Sequence, residues 1–502
     1  MSGSLPPSDG AAASPAPGAG PAAGAGVAPL APTASPAAVA AGSPAPDPAA
    51  VHSASSAPGL VASPGNAPLR LAELRVEALL FGVAFLLYAL ASWGMFWHQS
   101  EAPHFVLQAE AFLHGQLHLL DKPPNFNDWV LRDGKWFVSF PPFPAIVMMP
   151  LVALFGRGLN DVQLTAVFAA LNVALLYRFL RRLSETGEEG GAGSSDLAPS
   201  GSAAPRDPWD HAWLAMLYGF GTLALSCSIR GEVWYTAQTL GVTLTLGYLL
   251  SSLRARRPLL AGLLLGCAAI TRTPLLFSIV FFLLEAVLAP ADGSLPVGAT
   301  RSNLREALSL ALTDPARRRL VLGRLVRFGL PFAAVLLPMA YVNDLRFGSP
   351  GEFGHSFLHA NRVNADINQY GLFNYHYLER NLHAAFTRLP LITLHPLRLG
   401  FDGHGMSILV TTPLFLLLLW PLQTPRLTRA LWLTVAAVAL PGLLYQNDGY
   451  FQFGFRFSLD YTPHLFALLS LGGRPLDGKF WALGWAGVAV NAWGAAVFNR
   501  FF

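Results

Sequence analysis

The sequence predicts an all-α polytopic membrane protein with about eleven transmembrane helices and shorter periplasmic helices lying beside the membrane. Three observations predict it. Of 502 residues, 53% are hydrophobic and 12% charged, too few polar groups to cover a water-facing surface. Runs without charge recur at about 20 residues, the length needed to cross a hydrocarbon layer of about 30 Å. The net charge of +4 is gathered in short arginine clusters beside those runs, which is a topology signal and not a nucleic-acid surface. Cys227 and Cys267 both lie inside apolar runs, so neither a disulfide framework nor a cysteine metal site has support.

Taken in order, residues 1–69 are Ala, Pro, Gly and Ser without one Lys or Arg, and predict a disordered tail held in the cytoplasm. The tail lacks the basic start and compact apolar core of a cleaved signal peptide. A membrane domain over 70–502 follows. Its spans are expected at 78–97, 161–178, 211–229, 233–253, 258–271, 273–290, 327–343, 405–422, 429–446, 460–473 and 480–499. The apolar stretch 143–156 is short and bracketed by Pro141, Pro142 and Pro150, which predicts an interfacial or re-entrant helix and not a span. With it left out, Arg178, Arg181 and Arg182, then Arg254, Arg256 and Arg257, then Arg317, Arg318, Arg319, Arg324 and Arg327 all fall on the cytoplasmic side.

That topology leaves segments 98–160, 344–404 and 446–460 outside. The first mixes acids with Trp129, Trp136, Phe137 and Phe140, whereas the inner connectors 183–210 and 291–326 are Gly, Ser, Ala and Arg rich. Ordered outer segments over plain inner connectors place function on the outer face. In Glu101-Ala-Pro-His104-Phe, Pro103 suits a first helical turn, and Phe105, Ala109, Phe112 and Leu113 fall on one face of a helix expected to lie on the bilayer. Glu101 at its positive end would stay ionised and could accept a proton, or be an ordinary first-turn acid. Asp128 and Asp121 are the other candidate acids. Arg230, Arg272 and Arg456 sit at span ends, fit either to meet negative charge at the outer face or to snorkel, with Glu232 and Asp460 as natural ion-pair partners. The segment 344–404 reads as a lid for a sugar or head group, or as a plain surface cap, and carries Gln369 and Tyr370. His355 and His359 stand four apart, with Glu352 on the same face if helical, but without a fuller ligand pattern they support no metal.

The whole arrangement resembles the GT-C class of polyprenyl-phosphate-dependent glycosyltransferases, in particular the protein O-mannosyltransferase and aminoarabinose transferase branch. The motifs are Glu101-Ala-Pro-His104-Phe in the first outer loop, Lys122-Pro-Pro-Asn-Phe-Asn-Asp128-Trp129, Phe140-Pro-Pro-Phe-Pro-Ala145, and the Gly-rich span from Pro258 that ends Thr-Arg272-Thr-Pro274. They cover about residues 75–290. The resemblance implies sugar transfer from a polyprenyl-phosphate donor to a lipid, glycan or protein acceptor, at the periplasmic face of a bacterial inner membrane. It implies Glu101 as base, with Asp128 and Asp121 behind it, and a substrate set of His104, Arg230, Arg272, Arg456, Tyr370 and Gln369. That branch usually opens the motif with Asp followed by Glu, where this chain has Glu101 followed by Ala102. No cofactor is implied, and a divalent cation has no support. A transporter or flippase would need ionisable groups near mid-span; Glu285, the nearest to one, lies near the inner end of its helix. An inactive envelope-assembly protein would leave the same pattern.

Overall fold

A computed structural model describes residues 67–124, 128–185, 206–289, 304–358, 361–421, 426–471 and 474–498. The tail expected over 1–69 lies outside them up to position 66, as do parts of both inner connectors and His359.

The first helix, α1 (Ala67–Ser92), runs into a 3-10 turn at Trp93–Trp97, where exposed Trp93 and Trp97 suit the polar boundary of a bilayer. After α2 (His104–Leu113) comes a small antiparallel hairpin, β1 (Trp129–Arg132) and β2 (Lys135–Val138), with Trp129 opposite Val138 and Arg132 opposite Lys135. Asp133 and Gly134, both at positive φ, make its two-residue turn. The 13-residue α3 (Phe143–Phe155) is too short for a bilayer crossing and packs Ala145, Met148 and Val152 against Phe105, Val106 and Ala109 of α2. Next, α4 (Asp161–Ser184) starts at Asn160, whose side chain accepts from the Gln163 N–H at 3.0 Å.

In place of one helix over 211–229 stand α5 (Pro208–Phe220) and α6 (Ala224–Ser228), then α7 (Val233–Ser252), α8 (Pro258–Ala269) and α9 (Ile279–Leu288). Beyond α10 (Leu304–Thr313), the longest helix, α11 (Pro315–Phe347), is capped by Asp314. The segment 344–404 then folds as α12 (Asn361–Tyr370), α13 (Leu378–Phe386) and a second hairpin, β3 (Leu391–Leu394) with β4 (Leu397–Gly400). The chain closes with α14 (Ile408–Thr411), α15 (Arg426–Leu444), α16 (Thr462–Leu471) and α17 (Gly478–Val497).

Five helices among the described residues are long and apolar enough to cross a membrane: Leu71–Trp97, Asp161–Ser184, Pro315–Phe347, Leu427–Leu444 and Gly478–Val497. The other six expected spans are short, broken or polar. At 405–422 the cause is Pro413, which lacks an N–H and forces Thr412 out of the helical region, leaving α14 and a 3-10 turn over Pro413–Leu419. The 20-residue α7 is long enough but carries four threonines and Gln238, and it is buried on nearly every side. Protein meets that polarity: Thr236 bonds Thr165 at 2.7 Å, and Asn172 donates to the Thr239 carbonyl at 2.9 Å and accepts from Thr243 at 2.6 Å.

The basic clusters gather at one end. Arg178 pairs with Glu77 and Arg181 with Glu73, joining the end of α4 to the start of α1. Arg324 donates to the Ala286 and Ala289 carbonyls, capping the C-terminus of α9. Glu285 accepts from the Arg254 N–H at 2.6 Å, which places it beside the α7–α8 connection, away from mid-span. The opposite end carries 98–160 and 344–404, and is called the loop end below.

Two expectations about the first loop change. The helix α2 does not lie on a lipid surface with one face down: His104, Gln108 and Ala111 are buried as well as Phe105 and Ala109, because α3 covers one side and the β1–β2 hairpin stacks Trp129 on His104 at 3.6 Å. Glu101 is not in a first helical turn either. Pro103 is the N-cap, and Glu101 stands at a bend in the chain two residues before it, outside the helix.

Close packing of α8 on α11 depends on Gly262 and Gly266, a small-xxx-small pair. A Cβ at Gly262 would run into the Phe328 backbone carbonyl, whereas one at Gly266 would meet only the Val335 side chain, at 3.0 Å. Gly262→Ala is therefore expected to destabilise by about 1–3 kcal/mol and Gly266→Ala by less, an order that thermal unfolding in detergent would check.

Candidate functional site

At the loop end, spans and loops enclose a cavity of about 990 Å³. Glu101, Asp128, Arg230, Arg272 and Arg456, five of the residues singled out in the sequence, all line it.

Glu101 is exposed, but the chain on either side of it is fixed. Asp161, at the start of α4, accepts from the Ser100 N–H at 2.8 Å and its hydroxyl at 2.6 Å, while the Ala102 carbonyl accepts from Val233 N–H at 3.1 Å. The same aspartate underlies the Arg230-Gly231-Glu232 turn. A Cβ on Gly231 would lie 2.6 Å from Asp161 Oδ1 and from Val162 N, so only glycine allows the turn to sit there.

Asp128 occupies the left-handed region, φ 56°, which Asp tolerates better than most side chains. Its Oδ2 accepts from the Trp234 indole N–H at 2.7 Å, and its carbonyl accepts from the Ser139 hydroxyl at 2.7 Å, so the hairpin base and the first turn of α7 together aim the carboxylate. Half-buried His355 is a further lining residue. Burial pushes its imidazole below the usual histidine range, Asp128 and Glu352 draw it back up, and Arg272 opposes them.

The three arginines share two aromatic rings. Tyr235 lies 5.2 Å from the Arg230 guanidinium and 5.7 Å from that of Arg456; Phe457 lies 5.5 Å from Arg272 and 5.6 Å from Arg456. Their ion pairing differs. Arg272 holds Asp460 in a two-pronged pair at 2.7 and 2.8 Å, and Arg230 holds Glu232 in a second two-pronged pair through its Nε and Nη2. Arg456 donates to the Gly449 and Phe451 carbonyls at 2.6 and 3.3 Å and, among the described residues, forms an ion pair with no carboxylate. Below this polar end, Leu276, Phe277, Val438 and Leu440 form an apolar wall, in which Phe277 and Leu440 reach the molecular surface.

Four expected residues stand elsewhere. Asp121 pairs with Arg157 at 2.6 Å on the surface. His104 is fully buried against Trp129 and does not line the cavity. Tyr370 stacks on His376 at 3.8 Å, and Gln369 is exposed on α12. Sequence reasoning missed Trp234 and Tyr235, the side chains that orient Asp128 and space the arginines. Their adjacency to Arg230 and Glu232 at a span start was the available signal. Among the described residues no group of three or more His, Cys, Asp or Glu is placed to hold a metal ion.

In the path of its chain the protein is similar to three solved structures. One is ArnT from Cupriavidus metallidurans bound to undecaprenyl phosphate, at 14% identity and a TM-score of 0.45 over 82% of this chain and 63% of that one. The others are an oligosaccharyltransferase from Archaeoglobus fulgidus in the apo form (13%, TM-score 0.43, 86% and 55% covered) and the oligosaccharyltransferase AglB from the same organism, in complex with an inhibitory peptide and a dolichol-phosphate (13%, TM-score 0.41, 85% and 56% covered). This chain thus spans under two thirds of each. No family model matches the chain, and no curated protein does.

Two outcomes follow from the geometry. Arg272→Ala would leave Asp460 buried without its partner and is expected to destabilise by about 3–5 kcal/mol, whereas Arg456→Ala orphans no carboxylate and should cost far less; unfolding in detergent compares them. Since His355 resists protonation in the fold but not when unfolded, the unfolded chain binds more protons below about pH 6.5, and stability falls as pH drops through that value. Replacing His355 by Phe should flatten that acid limb of a stability-versus-pH curve.

Proposed function

We propose that this chain is a membrane glycosyltransferase that moves a sugar from a polyprenyl-phosphate carrier to a lipid, glycan or protein acceptor. In this reading its eleven membrane segments comprise five long helices and six short, broken or polar ones, with the loop end periplasmic in a bacterial inner membrane and the basic end cytoplasmic. One observation carries it: a single cavity joins carboxylates, an arginine cluster and an apolar wall that reaches the membrane-facing surface. A lipid-linked phosphate needs all three together.

Glu101 takes the proton from an acceptor hydroxyl or amine as that atom bonds to the anomeric carbon. The bond from that carbon to the carrier's phosphate oxygen breaks, and polyprenyl phosphate leaves with the electron pair. Negative charge grows on the phosphate, and Arg456, whose guanidinium is not matched to a carboxylate, is the cation placed to meet it. Arg230 and Arg272, each neutralised by its own acid, add field and shape. Asp128, aimed by Trp234, orients the acceptor and is the second choice for base. The isoprenoid tail lies along Leu276, Phe277 and Leu440.

Transfer of label from radiolabelled polyprenyl-phosphate sugars by the purified protein tests the proposal. Glu101→Gln is expected to lose about 10²–10⁴-fold in rate, and Arg456→Ala about 10²–10³-fold with little change in stability. Undiminished transfer by Glu101→Gln would remove it from the base role. Flux of the lipid carrier in proteoliposomes without any transfer would replace the enzyme by a transporter.

A further inference from the structure

The β3–β4 hairpin has one apolar face, with Ile392, Leu394 and Leu399, and a second face where Leu391 stands beside Thr393 and Arg398, and neither face is covered. Leu391 and Ile392, which point to opposite sides of the strand, are 53% and 61% exposed; Leu394 is 70%, Leu399 51%, and Leu389 just before the hairpin 70%. A two-stranded ribbon of this kind standing in water has no core to rest on and would be a site of aggregation.

Its base, by contrast, is held firmly. Arg388 pairs with Asp402, and the Ser407 N–H donates to the Arg388 carbonyl at 2.9 Å. Phe401, the residue after β4, packs on Phe453, Trp493 and Phe498 with ring centroids 5.2 to 6.0 Å apart. Since α17 ends at Val497, the base stands level with the last turn of a crossing helix. Leading into the hairpin, α13 packs on the C-terminus of α15, where Asn381 donates to the carbonyls of Leu443 and Tyr445 at 2.9 and 2.7 Å. Exposed apolar side chains run from Leu440 on α15 through Leu382 and Phe386 on α13 to Leu389 and the hairpin itself. The uncovered surface is thus an extension of the lipid-facing side of the bundle.

We propose that β3–β4 is an anchor seated in the head-group region of the leaflet at the loop end. Depth is set by the backbone: each strand has an outer edge of unpaired N–H and C=O groups, which hydrocarbon cannot satisfy, so the hairpin stops where water and head groups complete them. Arg398, opposite Thr393 in the register, supplies a cation for lipid phosphate. The anchor holds the far end of the segment 344–404 at the membrane surface whatever reaction the cavity performs, so it stands or falls apart from the transferase reading.

The test uses the full chain in nanodiscs of phosphatidylcholine and phosphatidylglycerol, in a background with the two buried cysteines replaced by alanine. Nitroxide labels on Ile392→Cys and, separately, Leu394→Cys are probed by collision with oxygen and with a water-soluble nickel chelate. Asp133→Cys at the β1–β2 turn, an exposed charged position, gives the aqueous reference, and Leu86→Cys on α1 the lipid one. The anchor requires an oxygen-to-nickel ratio several-fold above that at position 133 and approaching that at 86. A ratio equal to that at 133 would overturn it. So would labels reached by neither reagent, since that would show a second copy or another protein covering the hairpin.

Discussion

The architecture turns on α7, a helix too polar to stand in lipid and therefore obliged to be surrounded by protein. Thr236 and Thr243 find partners on α4, and in the 446–460 segment the Arg456 carbonyl accepts from Gln238 at 2.7 Å. To wrap such a helix, neighbours must approach from every side, and the short segments α6, α8, α9 and α16 do so without each crossing a full bilayer. Because α7 is fixed along its length, its first turn is a stable platform. From that platform Trp234 and Tyr235 project, one to the Asp128 carboxylate and the other between two arginines.

Two of the three arginines that line the cavity are matched by a carboxylate. Arg272 with Asp460 and Arg230 with Glu232 are neutral units, and an aromatic ring centroid lies 5.5 Å from the first guanidinium and 5.2 Å from the second. Arg456 departs from that rule, for its partners are carbonyl dipoles, which leave its positive charge uncancelled inside the cavity. A site with one unmatched cation among matched pairs favours an anion over a neutral ligand.

Much of this was legible in the sequence, and the remainder was hidden for specific reasons. Charge-free runs located the five helices that are long and apolar enough to cross a membrane, but hydropathy does not register the break that Pro413 makes or the polarity of α7. The first hairpin carried a readable signal, Asp133-Gly134 between aromatic and branched residues, which the expectation of an all-helical protein obscured. At the site, span-end position was enough to bring Glu101, Arg230, Arg272 and Arg456 to one place, since the ends of packed spans are neighbours. It was not enough for His104 or Asp121. Whether a side chain three residues along points into a cavity, into a core or toward Arg157 depends on helix phase and on partners remote in sequence.

Gly231 gives the cavity an uneven mechanics. With no room for even a methyl group between the 230–232 turn and Asp161, and with Asp161 gripping Ser100, the wall that bears Glu101 and the wall that bears Arg230 are one solid piece. Such a piece cannot flex to admit a bulky molecule. Any widening of the cavity would have to come from other parts of its lining, such as Gly351, Phe353 and Phe373 in the segment between α11 and α13.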